Sequence, residues 1–170
     1  MICGVIRKNS EVAGMNKKDF IVMAHLRRNA RETLTRMSRK TNIPISTIYD
    51  KLKMHEGSTI TKHTCLIDFN HLGFSTRANV MLKVDRTERE KLLASLMNNL
   101  HINSIYKISN GYDFLIETVF RNVKDLEDFL DALEMKFRLK DKQVYYVIED
   151  LKRESFLSDP ETIDLIISGL

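Results

Sequence analysis

The sequence predicts an α+β chain in two parts, an N-terminal helix-turn-helix followed by a ferredoxin-like βαββαβ domain. Three observations predict it. Apolar residues recur at helical spacing between Lys17 and Glu56, interrupted by the breaker Asn42-Ile43-Pro44. From Ser75 the period changes to two, and strand and helix patterns then alternate twice. Charge divides along the same line: residues 1–63 hold 13 Lys and Arg against 5 Asp and Glu, whereas residues 64–170 hold 14 against 18. A basic unit joined to a mildly acidic one points to a polyanion for the first alone.

In the basic part, Asp19 stands where it caps a first helix or favours its positive end, and Val22, Met23, Leu26 and Ala30 follow at helical spacing. Thr33 is the candidate cap of a second helix with Leu34 and Met37 inward and Arg36, Arg39 and Lys40 outward. Asn42 suits a left-handed turn position, and Pro44 opens a third helix better than it continues the second. The connection is therefore short, as a helix-turn-helix requires. Over Ile45 to Met54 the third helix is expected to bury Ile45, Ile48 and Leu52. Its opposite face shows Ser46, Thr47, Asp50 and Met54, flanked by Lys51 and Lys53, with Tyr49 near the edge. Short polar groups early in such a helix suit base edges in a major groove, and lysines suit phosphates. A plain three-helix bundle with a solvated face fits the same residues.

The second part opens with a half-buried strand in which Ala78, Val80, Leu82 and Val84 alternate with Arg77, Asn79, Met81 and Lys83. Asp85 and Glu88 resemble a capping box ahead of a helix carrying Leu92, Leu93, Leu96 and Leu100. A strand over Ile102–Ile108, the turn Asn110-Gly111 and a third strand with Phe114, Ile116, Thr118 and Phe120 inward come next. Leu126, Phe129, Leu130, Leu133 and Phe137 define a second amphipathic helix, and Val144, Tyr146 and Ile148 a fourth strand. Two helices cover one face of such a sheet. The other face is expected to be apolar and aromatic, with Tyr145 and Tyr146 on it, and a second copy of the chain is the expected cover.

Several chemistries find no support. Cys3 and Cys65 form no CxxC pair, and the expected compartment is a reducing cytoplasm. No stretch approaches the length of a membrane span. The five histidines show no metal-ligand spacing, and neither a cofactor loop nor a nucleophile elbow is present, so no catalytic or metal residue is assigned. Asp125, Glu127, Asp128, Asp131 and Glu134 read as the solvated face of their helix. Near the C-terminus Ser158-Asp159-Pro160-Glu161 is a helix start, followed by Ile163, Ile166, Ile167 and Leu170 at helical offsets. That short segment is expected to pack on its own subunit, to pack on a neighbour, or to fray.

In this order the pieces resemble the Lrp/AsnC transcriptional regulators. "DFIVMAHLRRNAR" (19–31) is similar to the family's opening helix, "MSRKTNIPISTIYDKL" (37–52) to its helix-turn-helix, "ITKHTCLIDFNHLGF" (60–74) to its strand and linker, and "NGYDFLIE" (110–117) to the turn between its middle strands. The resemblance covers about Lys17 to Lys152. It implies a winged helix-turn-helix, a RAM-type dimerisation domain, dimers that assemble into tetramers or octamers, palindromic double-stranded DNA as partner, and an amino-acid effector between the C-terminal domains. Tyr112 and Asp113 match the family's effector turn, with Gly111 as their neighbour and Asn110 in the usual Gly place. Pro44 stands where a capping Ser or Thr is usual, and "KMHEGST" (53–59) is shorter than the usual approach to the wing.

The expected organisation is an N-terminal extension over 1–16, the winged helix-turn-helix over 17–63, a linker over 64–74, the βαββαβ domain over 75–152 and a tail over 153–170. Arg36, Arg39, Lys40, Lys51, Lys53 and Lys62 are the candidate phosphate contacts, and Ser46, Thr47, Tyr49 and Asp50 the candidate base readers. No cofactor is expected. Two alternatives stay open: a sirohaem-decarboxylase-like tetrapyrrole enzyme of the same architecture, and a chromatin-like protein that coats DNA without sequence preference.

Overall fold

The computed structural model describes residues 15–168, so residues 1–14 of the extension expected over 1–16, and Leu170, lie outside the described residues. The chain forms two compact units. One comprises residues up to Leu66 together with those from Lys152 onward, and the other Ile67–Leu151.

In the first unit α1 (Lys17–Arg28) starts at Asn16, whose side chain accepts the amides of Lys18 and Asp19, while the Asp19 carboxylate accepts the Asn16 amide at 2.7 Å. Asp19 is thus the inner partner of a reciprocal capping box and not the cap itself. The helix ends before Ala30, which is exposed and takes no part in its apolar face. Thr33 caps α2 (Leu34–Thr41), and its hydroxyl accepts the Arg36 amide at 3.2 Å. Asn42 then takes a left-handed conformation (φ 55°), and α3 (Ile45–His55) begins at Pro44 with no side-chain cap. Val22, Met37, Ile43 and Ile48 form the small buried core, with Ile21, Leu26, Leu34 and Leu52 against it. Ile45 does not join it: 46% exposed, it lies off the inward stripe, which is Ile48, Lys51, Leu52 and His55.

Where the wing is expected, the chain makes one isolated parallel bridge between Glu56 and Ile60 around Gly57 (φ 75°), and residues 61–68 form no regular element. The tail packs on its own subunit. Asp159 caps a 3-10 turn at Pro160–Thr162, and α6 (Ile163–Ile167) buries Ile163 while contacting α1. Lys17 pairs with Asp164 at 2.6 Å, and the Arg27 guanidinium donates to the Phe156 carbonyl (2.6 Å) and the Glu154 carboxylate (2.9 Å).

The second unit is a four-stranded antiparallel sheet of β1 (Thr76–Val84), β2 (Ile102–Lys107), β3 (Phe114–Phe120) and β4 (Leu139–Tyr146), ordered β2-β3-β1-β4. α4 (Arg89–Met97) and α5 (Val123–Lys136) bring Leu92, Leu96, Leu126, Leu130 and Leu133 onto its inward residues, among them Val80, Leu82, Phe114 and Ile116. This is the ferredoxin-like order. Three expectations fail at element ends. Asp85 starts a 3-10 turn at Arg86–Glu88 without a side-chain cap, so no capping box forms. Leu100 (99% exposed) lies past the end of α4, and Ile148 (98%) past the end of β4, so neither is a core residue.

The sheet face away from the helices is mixed, not uniformly apolar. Met81, Leu115, Tyr106 and Tyr145 share it with Arg77, which donates to Asp150 (2.5 Å) and Glu117 (3.2 Å). Asn103 and Ser104 also donate to Glu117. Burial pushes the Glu117 carboxyl up, but these three donors hold it below its ordinary value. Tyr146 is not on this face: it pairs in register with the buried Ala78, and its hydroxyl donates to Glu127 of α5 at 2.7 Å.

Candidate nucleic-acid interface

The helix-turn-helix is built around a three-residue connection, Asn42-Ile43-Pro44. The Thr41 hydroxyl donates to the Met37 carbonyl (2.8 Å) and accepts the Ile43 amide (3.3 Å), which with the left-handed Asn42 turns Ile43 into the core. Two buried carboxylates then fix the helices to one another. Asp19 on α1 accepts Lys51 Nζ (2.6 Å) and His55 Nε2 (3.0 Å) from α3. Glu32, ahead of α2, meets His25 Nδ1 of α1 at 2.8 Å and Lys40 Nζ of α2 at 2.5 Å, with Arg36 Nε at 3.9 Å.

Both carboxylates sit below their ordinary pKa. For Asp19 burial acts upward, but hydrogen bonds from Lys51, the Asn16 amide and His55, with the Lys51 charge, outweigh it. For Glu32 burial is likewise outweighed, by the hydrogen bonds and charges of Lys40 and His25.

These centres sort the candidate residues. Lys51 is 8% exposed and committed to Asp19, so it is a structural cation and not a phosphate contact. Lys40 keeps an exposed side chain but is paired, and Arg36 is exposed beside the same Glu32. Arg39 and Lys53 are exposed and make no ion pair among the described residues. Ser46, Tyr49 and Asp50 are exposed and Thr47 half-buried, all on the solvent side of α3. Lys62 lies in the irregular segment, in a groove shared with Leu26, Arg28 and Arg31, and not on the helix-turn-helix proper.

Ile45 and Lys51 were misjudged by sequence reasoning and His55 was given no role, but a signal was available. Ile48, Lys51, Leu52 and His55 fall at offsets 0, 3, 4 and 7, so the inward stripe itself carries two basic groups and demands a buried acid.

In the second unit, Asn110 (φ 67°) and Gly111 (φ 92°) form the turn between β2 and β3, and open space surrounds Gly111. Tyr112 donates to Asp141 at 2.6 Å, which pushes its hydroxyl up to about 12. Asp113 is 9% exposed; its carboxylate accepts the Val84 amide at 2.9 Å and pairs with Arg89. Tyr112 and Asp113 therefore fasten the turn to β4, β1 and α4. Among the described residues no group of His, Cys, Asp and Glu could hold a metal ion, and no helix is long and apolar enough to cross a membrane.

With this geometry in view, residues 77–156 match the Lrp/AsnC ligand binding domain. The chain is similar to the HTH-type transcriptional regulator FL11 of Pyrococcus horikoshii, 26% identical over 120 residues, covering 70% of this chain and 80% of the relative. An uncharacterised HTH-type transcriptional regulator of Pyrococcus abyssi is 25% identical over 148 residues, covering 83% and 96%. Among solved structures, the Neisseria meningitidis regulator NMB0573 in complex with L-Met superimposes with a TM-score of 0.75 at 17% identity, covering 82% of this chain and 93% of that one. E. coli AsnC does so with a TM-score of 0.71 at 15% identity, covering 82% and 95%. Residues 77–156 thus match the ligand binding domain of the Lrp/AsnC family, and the curated relatives that the chain resembles along most of its length are named HTH-type transcriptional regulators.

Proposed function

We propose that this chain is a sequence-specific DNA-binding transcriptional regulator whose α3 enters the major groove. The observation that carries the reading is the solvent face of α3 and α2: Ser46, Tyr49, Asp50 and Lys53 on one helix, Arg36 and Arg39 on the other, held by a core that leaves all six outward. Arg36, Arg39, Lys40 and Lys53, with Lys62 from the segment after α3, hold phosphates, and Ser46, Thr47, Tyr49 and Asp50 read base edges. A second copy of the chain covers Met81, Leu115, Tyr106 and Tyr145 and sets two recognition helices on successive major grooves, as a two-fold operator requires.

An amino-acid effector at the Gly111–Asp113 turn is part of the same reading. It is supported by the family match over this segment and by the L-Met complex of the Neisseria relative. Gly111 leaves the backbone open to approach, and Asp113 holds the turn in place. The relatives named above are regulators, which favours this reading over a tetrapyrrole enzyme.

The test is binding of the purified chain to its own upstream DNA against a scrambled duplex, across salt and with amino acids added or withheld. Competitor-resistant binding with a steep negative salt slope is expected. Equal, weak binding to both duplexes overturns the reading.

A further inference from the structure

The exposed side of α3 carries more apolar surface than hydrogen bonding to bases requires. Ile45 is 46% exposed and Tyr49 52%, and the two stand one turn apart on the same edge of the helix. The small core closes over Val22, Met37, Ile43 and Ile48 without Ile45. Both residues lie in the N-terminal half of the helix, the half that reaches base edges in this motif. The same helix-turn-helix exposes Arg36, Arg39 and Lys53, against the single exposed acid Asp50 on α3. That charge complements a polyanion and not an apolar protein surface. In the major groove the apolar group a base offers is the C5-methyl of thymine, and the donor that suits an unpaired carboxylate is the amino group of cytosine.

We propose that Ile45 and Tyr49 are specificity-determining residues that read thymine methyl groups, with Asp50 accepting from the amino group of a neighbouring cytosine. The proposal rests on the DNA-binding reading above. It differs from a purely polar readout because it makes affinity depend on a methyl group that forms no hydrogen bond.

The experiment uses the full chain. Duplexes are first selected from a random pool, and each thymine of the enriched site is then replaced by deoxyuracil, which removes only the methyl. At the thymines beneath α3 each replacement is expected to weaken wild-type binding about fourfold, the cost of exposing one buried methyl-sized group. For Ile45→Ala or Tyr49→Ala the same replacements should change nothing further at the contacted position. Asp50→Asn should relax the preference for cytosine. Uracil duplexes bound as well as thymine duplexes overturn the proposal while leaving the DNA-binding reading intact. A pool that yields no enriched sequence overturns both. Because Ile45 and Tyr49 are exposed, unchanged melting of the variants separates lost readout from lost folding, and a changed sedimentation coefficient for Ile45→Ala assigns the patch to protein contact and overturns the proposal.

Discussion

The two units are held together by different physics. In the sheet unit thirteen buried apolar residues form one core between the sheet and two helices. In the helix-turn-helix unit four do among the described residues, and two buried carboxylates, each with a lysine and a histidine, take over the fastening. An apolar core is tolerant: removing one side chain leaves the rest in contact. An ion centre is brittle, because removing one member leaves a buried charge without a partner. The unit proposed to touch DNA is therefore the one whose geometry hangs on a few polar contacts.

The largest effect should come from breaking an ion centre. Asp19→Ala strands Lys51 and His55 and is expected to cost about 3–5 kcal/mol, read as loss of helical signal in urea titration. Replacing the whole centre, Asp19→Leu with Lys51→Met and His55→Leu, should recover that loss, because a well-packed apolar substitute is often neutral or stabilising. If the triple variant is as unstable as the single one, the centre is not the brittle element described. Leu126→Ala, fully buried in the sheet unit, should cost about 2–5 kcal/mol through its cavity, with the melting curve remaining cooperative.

Acid sharpens the same contrast. The folded pKa values of Asp19 and Glu32 lie below their ordinary values of 3.8 and 4.5. The stability they contribute is thus complete above the unfolded values and lost as pH falls through the folded ones. Pepsin digestion at successive pH values below 4.5 should cut first within residues 17–66, while the sheet unit, with its larger apolar core, persists. First cuts in β3 or α5 would reverse the ranking.

What could be read in advance follows the same divide. Alternation along β3 and the stripe of α5 are repeated apolar signals, and the structure buries Phe114, Ile116, Thr118, Phe120, Leu126, Leu130, Leu133 and Phe137. Asn42 was legible because few side chains tolerate a left-handed backbone. Element ends were not legible, since Leu100 and Ile148 continue a pattern after the hydrogen bonding has stopped. The stripe of α3 called for a buried acid beneath Lys51, but nothing local says that the acid is Asp19, 32 positions away. The polar half of the open sheet face was missed for the same reason: Arg77 meets Glu117 and Asp150 only across strands and a loop.

The smallest effect is the most discriminating, because it separates two lysines two positions apart. On a helix that spacing is about 200° around the axis, so Lys51 points into the unit and Lys53 out of it. Lys53→Ala should leave stability within about 0.5 kcal/mol and lower the salt slope of DNA binding by about one, equally on specific and scrambled duplexes. Lys51→Ala should do the opposite, destabilising the fold while leaving the salt slope of the remaining folded protein unchanged, since its charge already belongs to Asp19. A salt slope that falls for Lys51→Ala and holds for Lys53→Ala would mean that α3 meets DNA in another rotation, and that the exposed face described above is not the one that reads it.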